Sequence, residues 1–299
     1  MRSDLAFGVA VLALAAAGAA NAASRVEVKD AAARVTVIPE NRADVKVEFL
    51  TTNPALPLQV RTHGDKVIVD GDLRRRIKGC HSARWDIDVD GKRRQGESGV
   101  QVNVRGVGKV GWKDLPQVVV RTPMNAKVEV SGAVFGSVGR SASLSLDNAG
   151  CGDWIIANVN GPLSVDIAGS GDVRAGSARL LKLGIAGSGD VQAQNIAGPA
   201  SIDIAGSGDV RVASIAGDLN VDIAGSGDVK VGQGRANLMD VDIAGSGDVS
   251  FGGAVHTLDV SVAGSGDIRA GSVSGPIRKS VIGSGDIYVA GELVRVRNH

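Results

Sequence analysis

The tetrapeptide Gly-Ser-Gly-Asp begins at Gly169, Gly187, Gly206, Gly225, Gly245, Gly264 and Gly283, at spacings of 18, 19, 19, 20, 19 and 19 residues. A Gly-Cys-Gly-Asp variant at Gly150 stands 19 residues before the first. A period this constant is the signature of stacked structural repeats and outranks local propensity. About 19 residues is too short for a strand-helix unit with its connections, which needs roughly 30. It fits an all-β coil whose strands pair in parallel with their equivalents in the next coil at about 4.8 Å, so that these coils build a rod of roughly 40 Å.

Within one unit, alternation runs from Val221 to Val231 without a slip. Val221, Ile223, Gly225, Gly227, Val229 and Val231 fall on one face, and Asp222, Ala224, Ser226, Asp228 and Lys230 on the other. Period 2 means strand, with the apolar face turned into the solenoid. The glycines belong where the coil bends or is narrowest, because only glycine tolerates a close backbone approach or a positive φ. A second corner recurs as Gly161-Pro162, Gly198-Pro199, Gly217-Asp218 and Gly275-Pro276.

Composition agrees. With 42 glycines and only 3% aromatic residues, the core must be made of Val, Ile, Leu and Ala. Lys+Arg 33 against Asp+Glu 32 leaves a net charge of +1, so no global field draws the chain to nucleic acid, and no nucleic-acid partner is expected.

Residues 1–22 read as a secretory leader: Arg2, an apolar run from Leu5 to Ala20, and the small-residue site Ala20-Asn21-Ala22. No later run approaches the roughly 18 apolar residues of a membrane span, so no transmembrane segment is expected. The expected product is exported and soluble, in the periplasm or at the cell surface. Residues 23–140 read as a less regular β region and cap, with a basic insertion at 72–99 that offers few apolar residues of its own. Either these are coils of the same solenoid or they form a small separate β-domain. Residues 141–290 read as the regular solenoid and 291–299 as a tail.

The repeated Ala-Gly-Ser-Gly-Asp-Val, with Val-Val-Val-Arg-Thr-Pro-Met-Asn-Ala-Lys-Val-Glu-Val at 118–130, resembles the bacterial family called putative auto-transporter adhesin, head GIN domain. That resemblance implies an exported right-handed parallel β-helix with an adhesin-like role. No C-terminal stretch resembles a translocator barrel.

Three groups of residues invite a chemical reading. The first is the aspartate ladder Asp153, Asp172, Asp190, Asp209, Asp228, Asp248, Asp267 and Asp286, accompanied by Asp147, Asp166, Asp203, Asp222 and Asp242 across the glycines. Calcium-binding β-rolls use a nine-residue unit, which this spacing does not match. The ladder is read as structural, with carboxylates accepting backbone N–H groups and meeting Arg174, Arg211, Lys230 and Arg269 two residues on. The second is catalytic. Some parallel β-helices are polysaccharide lyases or hydrolases, but a uniform ladder offers no unique coil to position a substrate. Neither H-E-x-x-H, G-x-S-x-G nor a P-loop occurs, and His63, His81, His256 and His299 form no metal-spaced pair. Neither a cofactor nor a metal is expected.

The third group is the basic cluster Arg74, Arg75, Arg76, Lys78, Arg84, Lys92, Arg93 and Arg94, with Trp85 and Trp112 nearby, which could hold an anionic group. Cys80 and Cys151 are the only two cysteines. In an oxidising compartment they are expected to pair and to tie the insertion to the first regular coil. The expected function is a structural or adhesin-like binding surface of the cell envelope, whose partner is an envelope protein, a glycan or another solenoid. The alternative is a periplasmic carbohydrate-active enzyme.

Overall fold

The computed structural model describes residues 24–81 and 99–294. The leader expected at 1–22, most of the basic insertion, and 295–299 lie outside the described residues. The fold is a parallel β-solenoid. Val221 pairs with Ile202, 19 residues earlier, and Asp203 with Asp222, so each coil lies in register on the one before it. Each regular coil has two principal strands. One carries the pattern Leu-x-Val-Asp-Ile-Ala-Gly, as in Leu219–Gly225, and the Ser-Gly-Asp corner then leads to the other, which begins at Val229 in the same coil.

Alternation fixes what is buried. Ile167, Ile185, Ile204, Ile223, Ile243 and Val262 form one inner column, and Val173, Val191, Val210, Val229, Val249 and Ile268 another, all at most 3% exposed. Burying such a side chain stabilises by about 1.5–3 kcal/mol before the entropy cost, and no coil can do this without its neighbours. A third column runs Leu146, Val165, Leu183, Ile202, Val221, Val241 and Val260. At the last rung, Ile277–Gly283, Lys279 takes the next place in that column. Its ammonium group donates to the Val294 carbonyl oxygen at 3.1 Å.

Both glycines of the repeat are required, for related reasons. Gly225 has φ +144, and a Cβ placed there would lie 2.1 Å from the carbonyl oxygen of Gly206 in the preceding coil. Gly227 is buried, and its Cβ would lie 2.3 Å from the Gly208 oxygen and 3.0 Å from Ile204. The coils are therefore stacked so closely at this corner that the obstacle is the neighbouring backbone, which cannot rotate away.

The N-terminal third is built differently. Its elements are β1 (Arg25–Glu40), β2 (Lys46–Thr51), β3 (Gln59–His63), β4 (Lys66–Asp70), β5 (Ile77–His81), β6 (Gln101–Val104), β7 (Gly108–Gly111), β8 (Gln117–Pro123), β9 (Asn125–Val138) and β10 (Ser143–Gly150). Parallel pairing places β1 between β4 and β9 on one wall and between β8 and β9 on the other. The first strand in sequence thus forms the second rung in space. β9 then pairs with β10 and the stack continues into the regular coils. At the outer edge the antiparallel strands β3 on β4 and β2 on β8 close the stack, so no parallel rung is left open there.

Between β4 and β8 the chain makes an excursion that carries its own antiparallel sheet, β5-β6-β7. Most of the apolar side chains of this excursion come from beyond the basic insertion at 72–99. Leu73, Val100, Val102, Val104, Val110 and Leu115 are buried against the outward-facing Ala32, Ala133 and Phe135 of the solenoid, forming a second core on its flank. Trp112 meets Phe135 edge to face at 5.8 Å, and Arg34 lies over the Trp112 ring at 5.4 Å. The expected disulfide is present, with Cys80 and Cys151 5.9 Å apart at Cα.

Candidate functional site

The wall that carries Leu-x-Val-Asp-Ile-Ala-Gly turns three side chains per strand outward, and parallel register stacks each into a column. Ala149, Ala168, Ala186, Ala205, Ala224, Ala244 and Ala263 form one. Next to it run Asp147, Asp166, Gly184, Asp203, Asp222, Asp242 and Ser261. The alanines are small, so they leave a floor lower than its surroundings. The result is one open groove of about 710 Å³ along the rod axis, bordered by the aspartates.

Stacking like charges at strand spacing changes how they hold protons. Burial and then the Asp166 charge raise the Asp147 carboxyl above the ordinary carboxylate range. Burial also raises Asp222, helped by a hydrogen bond shared with Asp203 and by the charges of Asp203 and Asp242. Asn220 partly offsets this by donating to Asp222 Oδ2 at 3.1 Å. The column therefore offers a row of hydrogen-bond acceptors, of which Asp147 and Asp222 hold a proton more readily than a free carboxyl.

The corner ladder has a different geometry. The backbone N–H of Asp172 donates to Asp153 Oδ1 at 3.0 Å, that of Asp190 to Asp172 at 2.9 Å, and that of Asp209 to Asp190 at 2.9 Å. The series goes on with Asp228 to Asp209 at 3.1 Å, Asp248 to Asp228 at 2.8 Å, Asp267 to Asp248 at 2.8 Å and Asp286 to Asp267 at 3.0 Å. One oxygen of each donor-facing carboxylate thus holds the next corner. Arg211 reaches Asp209 at 3.2 Å, and Arg269 reaches Asp267 at 2.8 Å and Asp248 at 3.4 Å. Among the described residues no group of three His, Cys, Asp or Glu side chains has the arrangement of a metal site.

Of the basic cluster, Arg74, Arg75, Arg76 and Lys78 are exposed on the excursion, while Arg84, Lys92, Arg93 and Arg94 lie outside the described residues. The fold adds Arg105, which sequence reading missed because it lies 29 residues from Arg76. The signal that could have found it is the alternation Val100, Val102, Val104, which marks a strand and hence a turn at Arg105. His63, His81 and His256 do not come together; the His256 ring contacts the Ser274 hydroxyl at 3.1 Å. Among the described residues no helix is long and apolar enough to cross a membrane.

Fold and surface together define a repeat protein whose outer columns, rather than a single cleft, are its chemically distinctive feature. The family model described as putative auto-transporter adhesin, head GIN domain, matches residues 113–232 and again 199–292. These matches together span more than half of the 299 residues, and the chain belongs to that family. No curated protein matches the chain. A crystal structure described as that of a putative lipid binding protein from Parabacteroides distasonis is similar at 16% identity, covering 90% of this chain and 93% of its own, with a TM-score of 0.47.

Proposed function

We propose that the protein is an exported, non-enzymatic component of the cell envelope that holds a glycan strand along the alanine-floored groove, an adhesin-like role. The observation that carries this reading is the continuity of the groove, in which the same Asp-Ile-Ala pattern recurs over successive coils. A surface of this kind suits an elongated ligand that repeats along the axis and contacts each coil in turn. Carboxylates accept hydrogen bonds from sugar hydroxyls, and a floor of methyl groups admits a ring without a clash. Membership of an adhesin-named family and the Cys80–Cys151 bridge both support an extracytoplasmic setting. A carbohydrate-active enzyme would need one coil that departs from the rest to place a reacting bond. The departures in this column, Gly184 and Ser261, remove carboxylates instead.

The test is co-sedimentation of the purified protein with isolated envelope polysaccharide. Wild type should sediment, and Ala205→Trp with Ala224→Trp, which fills the groove from its solvent side, should stay in solution. Asp203→Asn, Asp222→Asn and Asp242→Asn should weaken binding by increments. Retention by the double tryptophan variant would remove the groove from the function, and product release abolished at a single coil would point to an enzyme.

A further inference from the structure

The excursion between β4 and β8 concentrates positive charge on a rigid mount. Arg74, Arg75 and Arg76 form a single 3-10 turn, so their side chains fan out in different directions. The loop from β6 to β7 is drawn to the same place: Arg105 N donates to the Arg76 carbonyl oxygen at 2.8 Å, and Arg76 Nε donates to the Arg105 carbonyl oxygen at 3.2 Å. These four arginines line one hollow of about 620 Å³ with Asp72 and Leu73. Asp72 is the only acidic residue of that lining, and it is already paired with Arg74 at 3.2 Å. Among the described residues no carboxylate lies within ion-pair distance of Arg75, Arg76 or Arg105.

The backbone under this cluster is unusual. Asp72 has φ +48 and Arg74 φ +35, left-handed conformations that a residue with a side chain avoids unless its surroundings impose them. Between them Leu73 is 1% exposed in the flank core. The N–H groups of Gly71 and Leu73 donate to the carbonyl oxygens of Lys29 and Asp30, and Cys80 is bridged a few residues on. The fold therefore holds like charges side by side at some cost and gives them little freedom to separate. That is the preorganisation expected of a site for an anion.

All four cations are arginines, whose planar forks engage oxyanions through two parallel hydrogen bonds. A carboxylate fills one fork. A phosphate has oxygens for several forks approaching from different directions, which is what a fan of guanidiniums around a hollow presents. We infer that Arg74, Arg75, Arg76 and Arg105 form a binding site for a phosphate group, carried either by a lipid headgroup or by a free phosphorylated molecule. The site lies on the excursion and does not depend on the groove, so either reading can fail alone.

The full chain, with its disulfide intact, is titrated calorimetrically with inorganic phosphate and with pyrophosphate. It is also floated with vesicles of phosphatidylcholine alone or mixed with phosphatidylglycerol. Arg75→Gln combined with Arg105→Gln should weaken binding at least about tenfold, the scale of a lost charge-assisted pair. Lys109→Gln, an exposed change in the same sheet outside the hollow, should leave binding unchanged, with equal melting temperatures for all three proteins. Flotation only with the anionic vesicles assigns the phosphate to lipid, and saturable binding of the free anions without flotation assigns it to a soluble molecule. Absence of saturable binding to every probe, full binding by the arginine variant, or an equal loss in Lys109→Gln overturns the site.

Discussion

The regular coils and the N-terminal third share one parallel ladder but hold it in different ways. In the coils from Gly150 onward each rung copies its neighbour, and register is enforced by backbone meeting backbone at glycine, as where Gly225 lies on Gly206. In the N-terminal third no such copy exists. Close glycine contact is limited there to Gly71 and Gly132, which lie against Asp30 and Ala31, and side chains add the rest: antiparallel strands cover its edge, Lys66 bridges to Glu27 at 3.3 Å and to Glu129, and an apolar sheet covers its flank. Repetition thus makes order cheap to encode but intolerant of a single added methyl. An irregular region spreads the same task over contacts that fail one at a time.

The largest effect should come from adding a side chain where coils touch. Gly225→Val combines left-handed strain with overpacking against a backbone that cannot yield, so a loss of about 5 kcal/mol is expected. Gly227→Val should follow closely and Ser226→Ala should change little. Gly64→Ala, at φ +60 in the β3–β4 turn with open space around it, should cost only about 1 kcal/mol. Urea denaturation of the four variants gives the comparison, and equal losses at Gly225 and Gly64 would show that close stacking is not what constrains the rod.

Removing the bridge comes next. Cys80→Ser with Cys151→Ser opens a crosslink between residues 71 apart, worth up to about 4 kcal/mol by chain entropy. The flank core should retain part of the attachment, so limited proteolysis is expected to cut the excursion well before the regular coils. Simultaneous cleavage of both would mean that the two regions unfold as one.

Acidification should separate the regions by sign. In the groove column Asp147 and Asp222 are raised, so the folded state binds protons more readily than the unfolded chain there. Their unfavourable contribution is present at neutral pH and is relieved as pH falls through the raised values toward the ordinary value of about 4. In the N-terminal third, the Arg42 hydrogen bond and the Arg121 guanidinium hold Glu40 below its ordinary value, and Lys46 and Arg121 do the same for Glu48. Their stabilisation is present above the ordinary value and is lost as pH falls through the lowered one. Peptide-resolved hydrogen exchange, corrected for intrinsic rates, should show protection falling near β2 and β8 while the regular coils hold or gain. Parallel loss in both would contradict these proton affinities.

The smallest effects concern the corner ladder. Asp228→Ala removes the acceptor of the Asp248 N–H and should cost about 1 kcal/mol, a cost that Asp228→Asn should largely avoid. Millimolar calcium should leave the melting temperature of the wild type unchanged, and a rise of many degrees would make the ladder an ion site.

The repeat made the solenoid legible because period and alternation are properties of the chain itself. Inward Ile223 and Val229 and outward Asp222 and Lys230 follow from parity alone. The pairing of Cys80 with Cys151 was legible from cell biology and cysteine count. What sequence could not provide was order in space, because β1 enters between strands that come later in the chain. Nor did it separate the groove aspartates from the corner aspartates in role. Both recur at nearly the period of the coil, and only the folded chain shows that one column borders an open groove while the other bonds to backbone. The flank sheet was readable in Val100, Val102 and Val104, but its neighbours' charge drew attention to a loop.

Lys279 bears on how such a rod behaves in company. A stack of identical rungs is a template: whatever shape lets one coil settle on the last would let a coil of another molecule settle there too, as in fibre growth. A lysine at the aliphatic position of the last such rung, with its exposed ammonium bonded to the Val294 carbonyl oxygen, makes that surface unlike the one beneath it, so an arriving hydrocarbon strip would meet a charged side chain. At the opposite edge β2 and β3 run against the grain. The described stack thus carries a seed's periodicity between two end rungs that do not repeat it.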